Sequence, residues 1–328
     1  MTTADLSEVS ALSARLGGDP MLVQGGGGNV SLKSHDTLWV KASGKWLAQA
    51  ECEPIFVPVA LDGVRVSVAA GAADPVSPHV LGGSASLRPS IETTLHALLP
   101  HRVVVHLHSI HALAAAVRDD GAGFAAERLE GTDWRWLPYC RPGLPLTRAI
   151  AALGRPAPAV VLLANHGLVV GADDCASAET LIHDIERRLA TVPRRAPAAD
   201  LAALGAEAAA RGLQLPRSPR LHDIATDAVS LRHALAGPLF PDQVVFLGPR
   251  ITTDEAADAP FVVLPGRGVL LRPDITAGQE EMLLCLALLF QHLPADASLA
   301  VLDLAEAGGL LGWEAERYRK TLDARRQR

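Results

Sequence analysis

His106 and His108 are the residues whose type and spacing first suggest chemistry. They are separated by one residue in an apolar segment, Val103 to His108, and the period of two in a strand turns both imidazoles to one face. A third histidine, His166, lies between two apolar runs in a sequence typical of a tight hairpin. Three neutral imidazoles form a catalytic zinc set that leaves a position open for substrate or water. His-x-His alone is a weak motif, and it is equally typical of hydrogen-bonded histidines near a sheet edge.

Glu92 lies just upstream of that strand, in the segment Arg88 to His96 (RPSIETTLH). A helix start and a nearby cation both favour the carboxylate form of such a side chain. Helical spacing places His96 one turn further along the same face. Two interpretations stay open: an exposed carboxylate in a first helical turn, or an acid/base next to a metal.

Four consecutive glycines, Gly25 to Gly28, are followed by Asn29, Val30 and Ser31. Such a loop can approach an anion closely and present its backbone N–H groups to it. It matches neither a P-loop nor a dinucleotide-binding fingerprint, so a flexible turn between strands is the alternative. The turn from Lys41 to Lys45, which carries Ser43 and Gly44, either completes an anion site or merely solvates the end of a strand.

The apolar patterns predict the elements that would hold these residues. Alternating or continuous apolar runs predict strands at Thr37 to Lys41, Ile55 to Leu61, Val103 to His108, Trp134 to Tyr139, Val160 to Ala164 and Leu168 to Val170. Helical spacing predicts helices at Leu6 to Leu16, from an N-cap at Ser90 to Pro100, at Ala112 to Val117, at Leu146 to Leu153 and at Cys175 to Ala190.

A proline-rich segment, Pro193 to Ala199, separates this region from a second pattern and predicts a domain boundary. We expect a catalytic domain over residues 1–195 and a smaller C-terminal α/β extension of unknown role over residues 196–328. The predicted elements of the extension are strands at Val244 to Leu247, Phe261 to Leu264 and Val269 to Leu271 and a long helix from Gln279 to Leu293. The basic end of the chain is interpreted as a solvated helix tail: Arg317, Arg319, Lys320, Arg325, Arg326 and Arg328.

The composition of the chain restricts the class of partner. Its 328 residues are 49% hydrophobic and 20% charged, enough for about two domains and unlike a disordered chain. A net charge of −6 disfavours nucleic acid as a partner. Four widely spaced cysteines indicate reduced thiols, and neither a secretory signal nor a membrane span is recognisable. We expect a cytoplasmic protein whose partner is a small molecule rather than a nucleic acid or a membrane.

Five short motifs in a fixed order identify a resemblance. They are Gly28-Asn29-Val30-Ser31, Ser43-Gly44, Ser90-Ile91-Glu92, His106-Leu107-His108 and Asn165-His166-Gly167. Each motif is weak alone, but their order and spacing resemble the class II aldolase/adducin family over about residues 5 to 195. The remainder is similar to the segment after the aldolase part in bacterial fusions of rhamnulose-phosphate aldolase with a short-chain dehydrogenase.

The resemblance implies a fold, a metal and site residues. The fold would be α/β, an αβα sandwich with a central, mostly antiparallel sheet, assembled as a homo-oligomer, usually a tetramer. The cofactor would be a divalent metal ion, commonly Zn²⁺. The residues that match the family's functional positions are His106, His108 and His166 as metal ligands, Glu92 as catalytic acid/base, and Gly28, Asn29, Ser43, Gly44 and Ser90 around the substrate phosphate.

The chain departs from the family pattern in two places. Ile91 stands where relatives acting on fuculose phosphate have a second serine, which puts phosphate recognition in doubt. Lys33, Lys41 or Lys45 could compensate as point charges. The aromatic acid/base that some relatives supply from a neighbouring subunit is also unassigned, with Tyr139 and Trp134 as the candidates.

Three functions follow from these observations. The first is a metal-dependent lyase that performs retro-aldol cleavage of a sugar phosphate or related keto-sugar through a metal-stabilised enediolate. The second is a decarboxylase or 4-epimerase of the same superfamily, since the metal and Glu92 would serve those reactions as well. The third is an adducin-like structural module without catalysis, for which three imidazoles and a carboxylate would have no purpose.

Overall fold

A seven-stranded mixed sheet lies at the centre of the protein. The structure is a computed structural model that describes residues 5–82, 87–154, 156–254, 259–311 and 314–324. The strands are β1 (Asn29–Ser34), β2 (Thr37–Lys41), β3 (Phe56–Ala60), β4 (Val103–Leu107), β5 (Trp134–Leu137), β6 (Val160–Leu163) and β7 (Gly167–Ala172). Their spatial order is β3-β2-β1-β4-β7-β6-β5, and all neighbours are antiparallel except β5 and β6.

Helices cover both faces of the sheet. They are α1 (Ser7–Gly17), α2 (Leu61–Ala69), α3 (Thr93–Leu98), α4 (Ile110–Ala116), α5 (Gly121–Arg128), α6 (Leu144–Ala151) and α7 (Cys175–Leu189). Helices α1, α5 and α7 pack on one face, whereas α2, α3 and α6 pack on the other. The αβα sandwich expected from the resemblance is therefore confirmed.

The central strand β4 determines which face of the sheet His106 occupies. All five residues of its Val-Val-Val-His-Leu sequence are buried, as is usual for a strand that is covered on both faces. Val103, Val105 and Leu107 point toward the layer of α1 and α7. Val104 points toward α3 and α6, and the strand period puts His106 on that same side.

The chain after residue 200 forms a second, mainly helical unit. Its elements are α8 (Leu201–Arg211), α9 (Asp223–Thr226), α10 (Ala228–Ala236), α11 (Pro241–Leu247), β8 (Phe261–Leu264), β9 (Gly268–Leu271), α12 (Ala277–His292), α13 (Leu304–Leu311) and α14 (Glu314–Asp323). Strands β8 and β9 form an antiparallel hairpin. Helix α12 begins at a capping box of Thr276 and Gln279 and is buried on nearly all sides.

The two parts of the chain share one hydrophobic core. Ile110, Leu113 and Val117, in and just after α4, belong to the same buried cluster as Leu286 and Phe290 of α12. Residues 190–200 between the two parts have no regular secondary structure. The connecting segment is nevertheless held, because the guanidinium of Arg194 donates to the carbonyl of Phe290 and to Asp227.

Two element predictions are wrong. Val244 to Leu247, expected as a strand, belongs to helix α11, whose seven residues are all buried. A short run that is apolar on every side carries no periodicity that distinguishes a strand from a helix. Helix α3 begins at Thr93, with Glu92 in the N-cap position, so Ser90 precedes the helix instead of capping it.

The other predicted elements of the second unit are confirmed. Strands β8 and β9 and helix α12 lie where the apolar pattern predicts them. The four cysteines are all free thiols. Among the described residues, none of the helices combines the length and the apolar character needed to span a bilayer.

Candidate metal centre and active site

The three predicted histidine ligands lie together. His106 lies in β4, His108 directly follows the strand, and His166 occupies the tight turn between β6 and β7. Their rings are all buried, and one nitrogen atom of each lies within 4.8 Å of the others. The Nε2 atoms of His106 and His108 are 3.2 Å apart, close to the separation of about 3.3 Å that two nitrogens have in a tetrahedral zinc site.

The turn that carries His166 is held in a conformation few residues adopt. Asn165 has a φ of +53° and Gly167 a φ of +152°. A Cβ atom on Gly167 would lie 2.3 Å from the carbonyl oxygen of Leu107, so a side chain there would displace β4. The amide of Asn165 donates to the carbonyls of Leu239 and Ala300, which fixes the turn against the second unit.

The donor atoms fit a divalent cation. The Nδ1 atom of His106 lies 3.0 Å from the carbonyl of Leu168, so this nitrogen carries the proton and leaves Nε2 as a lone-pair donor. Among the described residues, the buried Oε1 of Glu92 has no hydrogen-bond partner, and it lies 3.6 Å from Nε2 of His166. Buried polar atoms are normally satisfied, so an unpartnered carboxylate oxygen next to the cluster of imidazole nitrogens suits a bound cation.

Burial keeps these imidazoles in the form that binds metals. It lowers the pKa of His108 to about 3 and that of His166 to about 4, because desolvation disfavours the charged ring. The rings are therefore neutral at pH 7, and a neutral imidazole has a lone pair available for a cation.

Glu92 is buried beside the histidines rather than exposed. Its Oε2 lies 3.5 Å from Nε2 of His106, and its Oε1 lies 3.6 Å from Nε2 of His166. Burial alone would raise the pKa of Glu92, but His106, His166 and a hydrogen bond from Asn29 outweigh burial and lower the pKa to about 2. The side chain is a carboxylate at neutral pH. Of the two interpretations that the sequence allows for Glu92, the structure contradicts the exposed one.

A chain of hydrogen bonds orients Glu92. The amide nitrogen of Asn29 donates to Oε2 of Glu92 at 2.8 Å, and the amide oxygen of Asn29 contacts Nε2 of His96. The other ring nitrogen of His96 lies 2.7 Å from the hydroxyl of Ser31. The hydroxyl of Ser90 accepts from the backbone N–H of Glu92 and from Asn29. Asn29 and Ser90, predicted as substrate contacts, thus also hold the carboxylate.

The glycine-rich loop brings backbone close to the histidines. Gly28 lies against the backbone of His106 and has a φ of +61°, and a Cβ there would lie 2.7 Å from the carbonyl oxygen of His106. The Nζ of Lys41 donates to the carbonyls of Gly26 and Gly28, which holds the loop in place. Gly28, Ser43, Gly44 and Ser90 border a single cavity together with Glu92, His108 and His166.

Other predicted contributors lie elsewhere. Lys33 donates to the carbonyl of His101, and Lys45 pairs with Glu53 at 2.6 Å, whereas Lys41 and Ile91 do line the cavity. Tyr139 and Trp134 are not among the described residues that border it. Burial raises the pKa of Tyr139 to about 12, so its hydroxyl is protonated at neutral pH.

Two residues of the second unit reach the cavity, and neither was predicted as a site residue. Asp242 in α11 lies 3.5 Å from Nδ1 of His108 through its Oδ2 atom. Arg319 in α14 donates to both carboxylate oxygens of Asp242, at 2.8 and 2.9 Å. The interpretation of Arg319 as part of a solvated tail is wrong, because only 12% of its side chain is exposed.

The rest of that basic tail is only partly described. Lys320 is exposed, as expected of a solvated helix. Arg325, Arg326, Arg328 and the side chain of Arg317 lie outside the described residues. A polar side chain on an isolated helix carries no local signal of a partner that lies far away in the sequence, so spacing alone could not have identified Arg319 or Asp242.

The fold and the site define a protein of the class II aldolase type. Residues 7–192 match the family model "Class II Aldolase and Adducin N-terminal domain". The chain belongs to this family, as its motifs indicate.

Particular relatives were found for the first part of the chain. "Uncharacterized oxidoreductase YuxG" of Bacillus subtilis (strain 168) is 33% identical over 181 residues, which are 50% of this chain and 26% of that protein. The chain thus spans about a quarter of that relative's length. The N-terminal class II aldolase domain of a conserved protein from Thermoplasma acidophilum is 27% identical with a TM-score of 0.50, over 58% of this chain and 93% of that one. An L-fuculose 1-phosphate aldolase is 22% identical with a TM-score of 0.43, over 58% and 85% of the two chains.

Proposed function

We propose that the protein is a metal-dependent lyase that cleaves a sugar phosphate or a related keto-sugar by a retro-aldol reaction. The observation that carries this proposal is the clustering of three buried imidazoles beside the buried carboxylate of Glu92. His106, His108 and His166 would hold a divalent cation, with Zn²⁺ as our first candidate because a three-histidine set with an open position suits it.

In the proposed reaction the cation would stabilise charge, and the side chains would transfer the proton. A bound divalent cation stabilises the negative charge that develops on the oxygens of an enediolate. Glu92 accepts the proton of the substrate's β-hydroxyl as the bond between the α and β carbons breaks, and it then returns this proton to the α carbon of the enediolate. The proton balance closes within the site, since one carboxylate both receives and delivers the proton. Asn29 holds the carboxylate in place during both transfers.

The part of the cavity bordered by Ser43 and Ser90 would bind the phosphate or the free hydroxyl group of the substrate. Ser43, Ser90 and the backbone around Gly28 and Gly44 supply hydrogen-bond donors, and Lys41 supplies a positive charge. Ile91 contributes only an apolar surface at this end. We therefore propose that the site tolerates an unphosphorylated keto-sugar better than a site with two adjacent serines would.

The same residues would also serve decarboxylation or 4-epimerisation, and the products separate these reactions. Aldol cleavage yields two carbon fragments, decarboxylation releases carbon dioxide, and epimerisation conserves the mass of the substrate. The decisive experiment incubates the zinc-loaded protein with a panel of ketose 1-phosphates and the corresponding free ketoses and identifies the products by mass spectrometry.

The Glu92→Gln variant tests the role of the carboxylate. We expect turnover to fall by about 10² to 10⁴, because the variant cannot accept the proton. Zinc content, measured by elemental analysis, should stay close to that of the wild type, since the three imidazoles remain. The matched control is Glu127→Gln, an exposed position on α5, which should leave both quantities unchanged. Wild-type turnover in Glu92→Gln, or a zinc-loaded wild type that yields no fragments from any ketose, would overturn the proposal.

A further inference from the structure

Asp242 is a buried carboxylate that the proposed reaction does not use. It is 5% exposed and lies in the second residue of α11, which belongs to the part of the chain beyond residue 195. Its Oδ2 is 3.5 Å from Nδ1 of His108. The sequence separation between these two residues is large, so the contact exists only because the second unit packs against the sheet.

Asp242 lies where His108 lacks a hydrogen-bond acceptor for its second ring nitrogen. A histidine that binds a metal through one ring nitrogen nearly always donates the proton of the other nitrogen to a carboxylate, a carbonyl or water. His106 meets this need with the carbonyl of Leu168 at 3.0 Å. Nδ1 of His108 has no hydrogen-bond partner among the described residues. The carboxylate of Asp242 faces it at ion-pair distance.

The glycine loop also packs against His108. A Cβ atom on Gly27 would lie 2.8 Å from Nδ1 of His108, so the loop backbone directly contacts the imidazole. A side chain at position 27 would require this ring to shift, and the shift would change the distance from Nδ1 to Asp242.

Arg319 holds Asp242 in the orientation that this contact requires. Its guanidinium makes two parallel hydrogen bonds to the carboxylate and lies 5.4 Å from the ring centre of Phe246. A buried carboxylate without such a partner would be strongly destabilising, whereas a bidentate pair offsets the loss of hydration. Arg319 thus supports Asp242 without touching the histidine ligands in the described contacts.

We propose that Asp242 is a positioning residue of the metal centre, which accepts the Nδ1 proton of His108, and that the second unit therefore supplies part of the metal site. This inference rests on the metal centre of the proposed function. It assigns the segment after residue 195 a role in metal affinity. Arg319 acts one step further away, by fixing the rotamer of Asp242.

Zinc affinity of the full-length protein tests this inference without any substrate. Competition with a chromophoric chelator gives the zinc dissociation constant of the wild type and of Asp242→Asn, Arg319→Gln and the double variant. We expect Asp242→Asn to bind zinc about 10-fold to 100-fold more weakly, the usual effect of removing a partner of a metal-bound histidine. Arg319→Gln keeps the carboxylate but removes the side chain that orients it, so its zinc affinity should lie between those of the wild type and Asp242→Asn.

The double variant shows whether weak zinc binding by Asp242→Asn results from misfolding. Asp242→Asn leaves Arg319 as a buried charge without its carboxylate partner, whereas the double variant replaces the ion pair by two neutral amides. It should fold and should show the same weak zinc binding as Asp242→Asn. Asp227→Asn is the matched control, because it breaks another ion pair of the second unit, with Arg194 at 2.9 Å, and neither residue borders the cavity. It should lower the melting temperature and leave zinc affinity unchanged.

Two results would overturn the inference. One is wild-type zinc affinity in both variants that lack Asp242, which would make the ion pair purely structural. The other is a wild type that binds no zinc at all. Failure of the proposed lyase reaction is a separate result, because a protein that binds zinc through Asp242 and His108 but cleaves no ketose would support this inference and contradict the reaction.

Discussion

The protonation state of His96 follows from the residues around it. The amide nitrogen of Asn29 donates to Glu92, so the amide oxygen must accept, and Nε2 of His96 must therefore carry a proton. Nδ1 of His96 then accepts from the hydroxyl of Ser31. Burial lowers the pKa of His96 to about 3, so the ring is neutral at pH 7. A single tautomer of His96 thus determines which way the amide of Asn29 faces.

Replacing His96 by leucine should weaken the alignment of Glu92. The amide of Asn29 would lose the partner that fixes its orientation, and a hydrogen bond to a charged group contributes about 1.5–3 kcal/mol. We expect kcat to fall about 10-fold to 100-fold while zinc content, measured on the same sample, is retained. His111→Leu is the control, since His111 lies outside the cavity lining. Loss of zinc together with activity would show that His96 supports the whole centre instead.

Ser109 and Glu186 connect helices α4 and α7. The hydroxyl of Ser109 caps α4 by accepting from the backbone N–H of Ala112, and it donates to Oε1 of Glu186. Burial raises the pKa of Glu186 to about 7, and the hydrogen bond from Ser109 only partly opposes this effect. The protonated carboxyl is therefore favoured in the folded protein.

Glu186 should make the stability of the protein depend on pH. The pKa of Glu186 in the folded protein lies above the ordinary value of 4.5. The contribution of the protonated side chain to the free energy of unfolding is therefore fully present below about pH 4.5 and is lost as the pH rises through about 7. Glu186→Gln keeps an acceptor for Ser109 without the charge. We expect this variant to be more stable than the wild type at pH 8, by about 2 kcal/mol, and close to the wild type at pH 5.

Thermal unfolding at the two pH values measures this difference. Glu179→Gln on the same helix is the control: Arg15 lowers the pKa of Glu179 through an ion pair, so its replacement should not stabilise the protein at pH 8. An equal effect of Glu186→Gln at both pH values would contradict the prediction.

The whole molecule depends on contacts between its two parts. Helix α4 packs against α12, and the amide of Asn165 donates to two carbonyls of the second unit. Asp242 and Arg319 add a buried ion pair at the cavity. These contacts bury apolar side chains of both parts, so separation of the parts would expose Leu113 and Phe290 to water.

The full chain should therefore unfold in one cooperative transition. We expect far-UV circular dichroism, tryptophan fluorescence and calorimetry to give the same midpoint, with equal calorimetric and van't Hoff enthalpies. A variant with Asn165→Ala should shift this midpoint downward for all probes together, because two carbonyls lose their donor. Two separate transitions would instead support the independent domains that the proline-rich segment suggests.

Much of the site could be predicted from the sequence, because most of its polar side chains belong to short local motifs. The period of two predicts that His106 and His108 turn to one side, and the apolar runs on either side of His166 predict its hairpin. The order of five motifs indicates the family and its sandwich fold. Cytoplasmic location, homo-oligomeric assembly and the domain boundary near residue 195 stay predictions.

Only the tertiary structure decided which distant groups meet. The burial of Glu92, the link from His96 through Asn29, and the contact of Asp242 with His108 all join separate segments of the chain. Periodicity and capping rules describe neighbours within about two helical turns, so they carry no information on such pairs. Helix α11 shows the same limit, since a fully buried apolar run fits a strand or a helix until its surroundings select one.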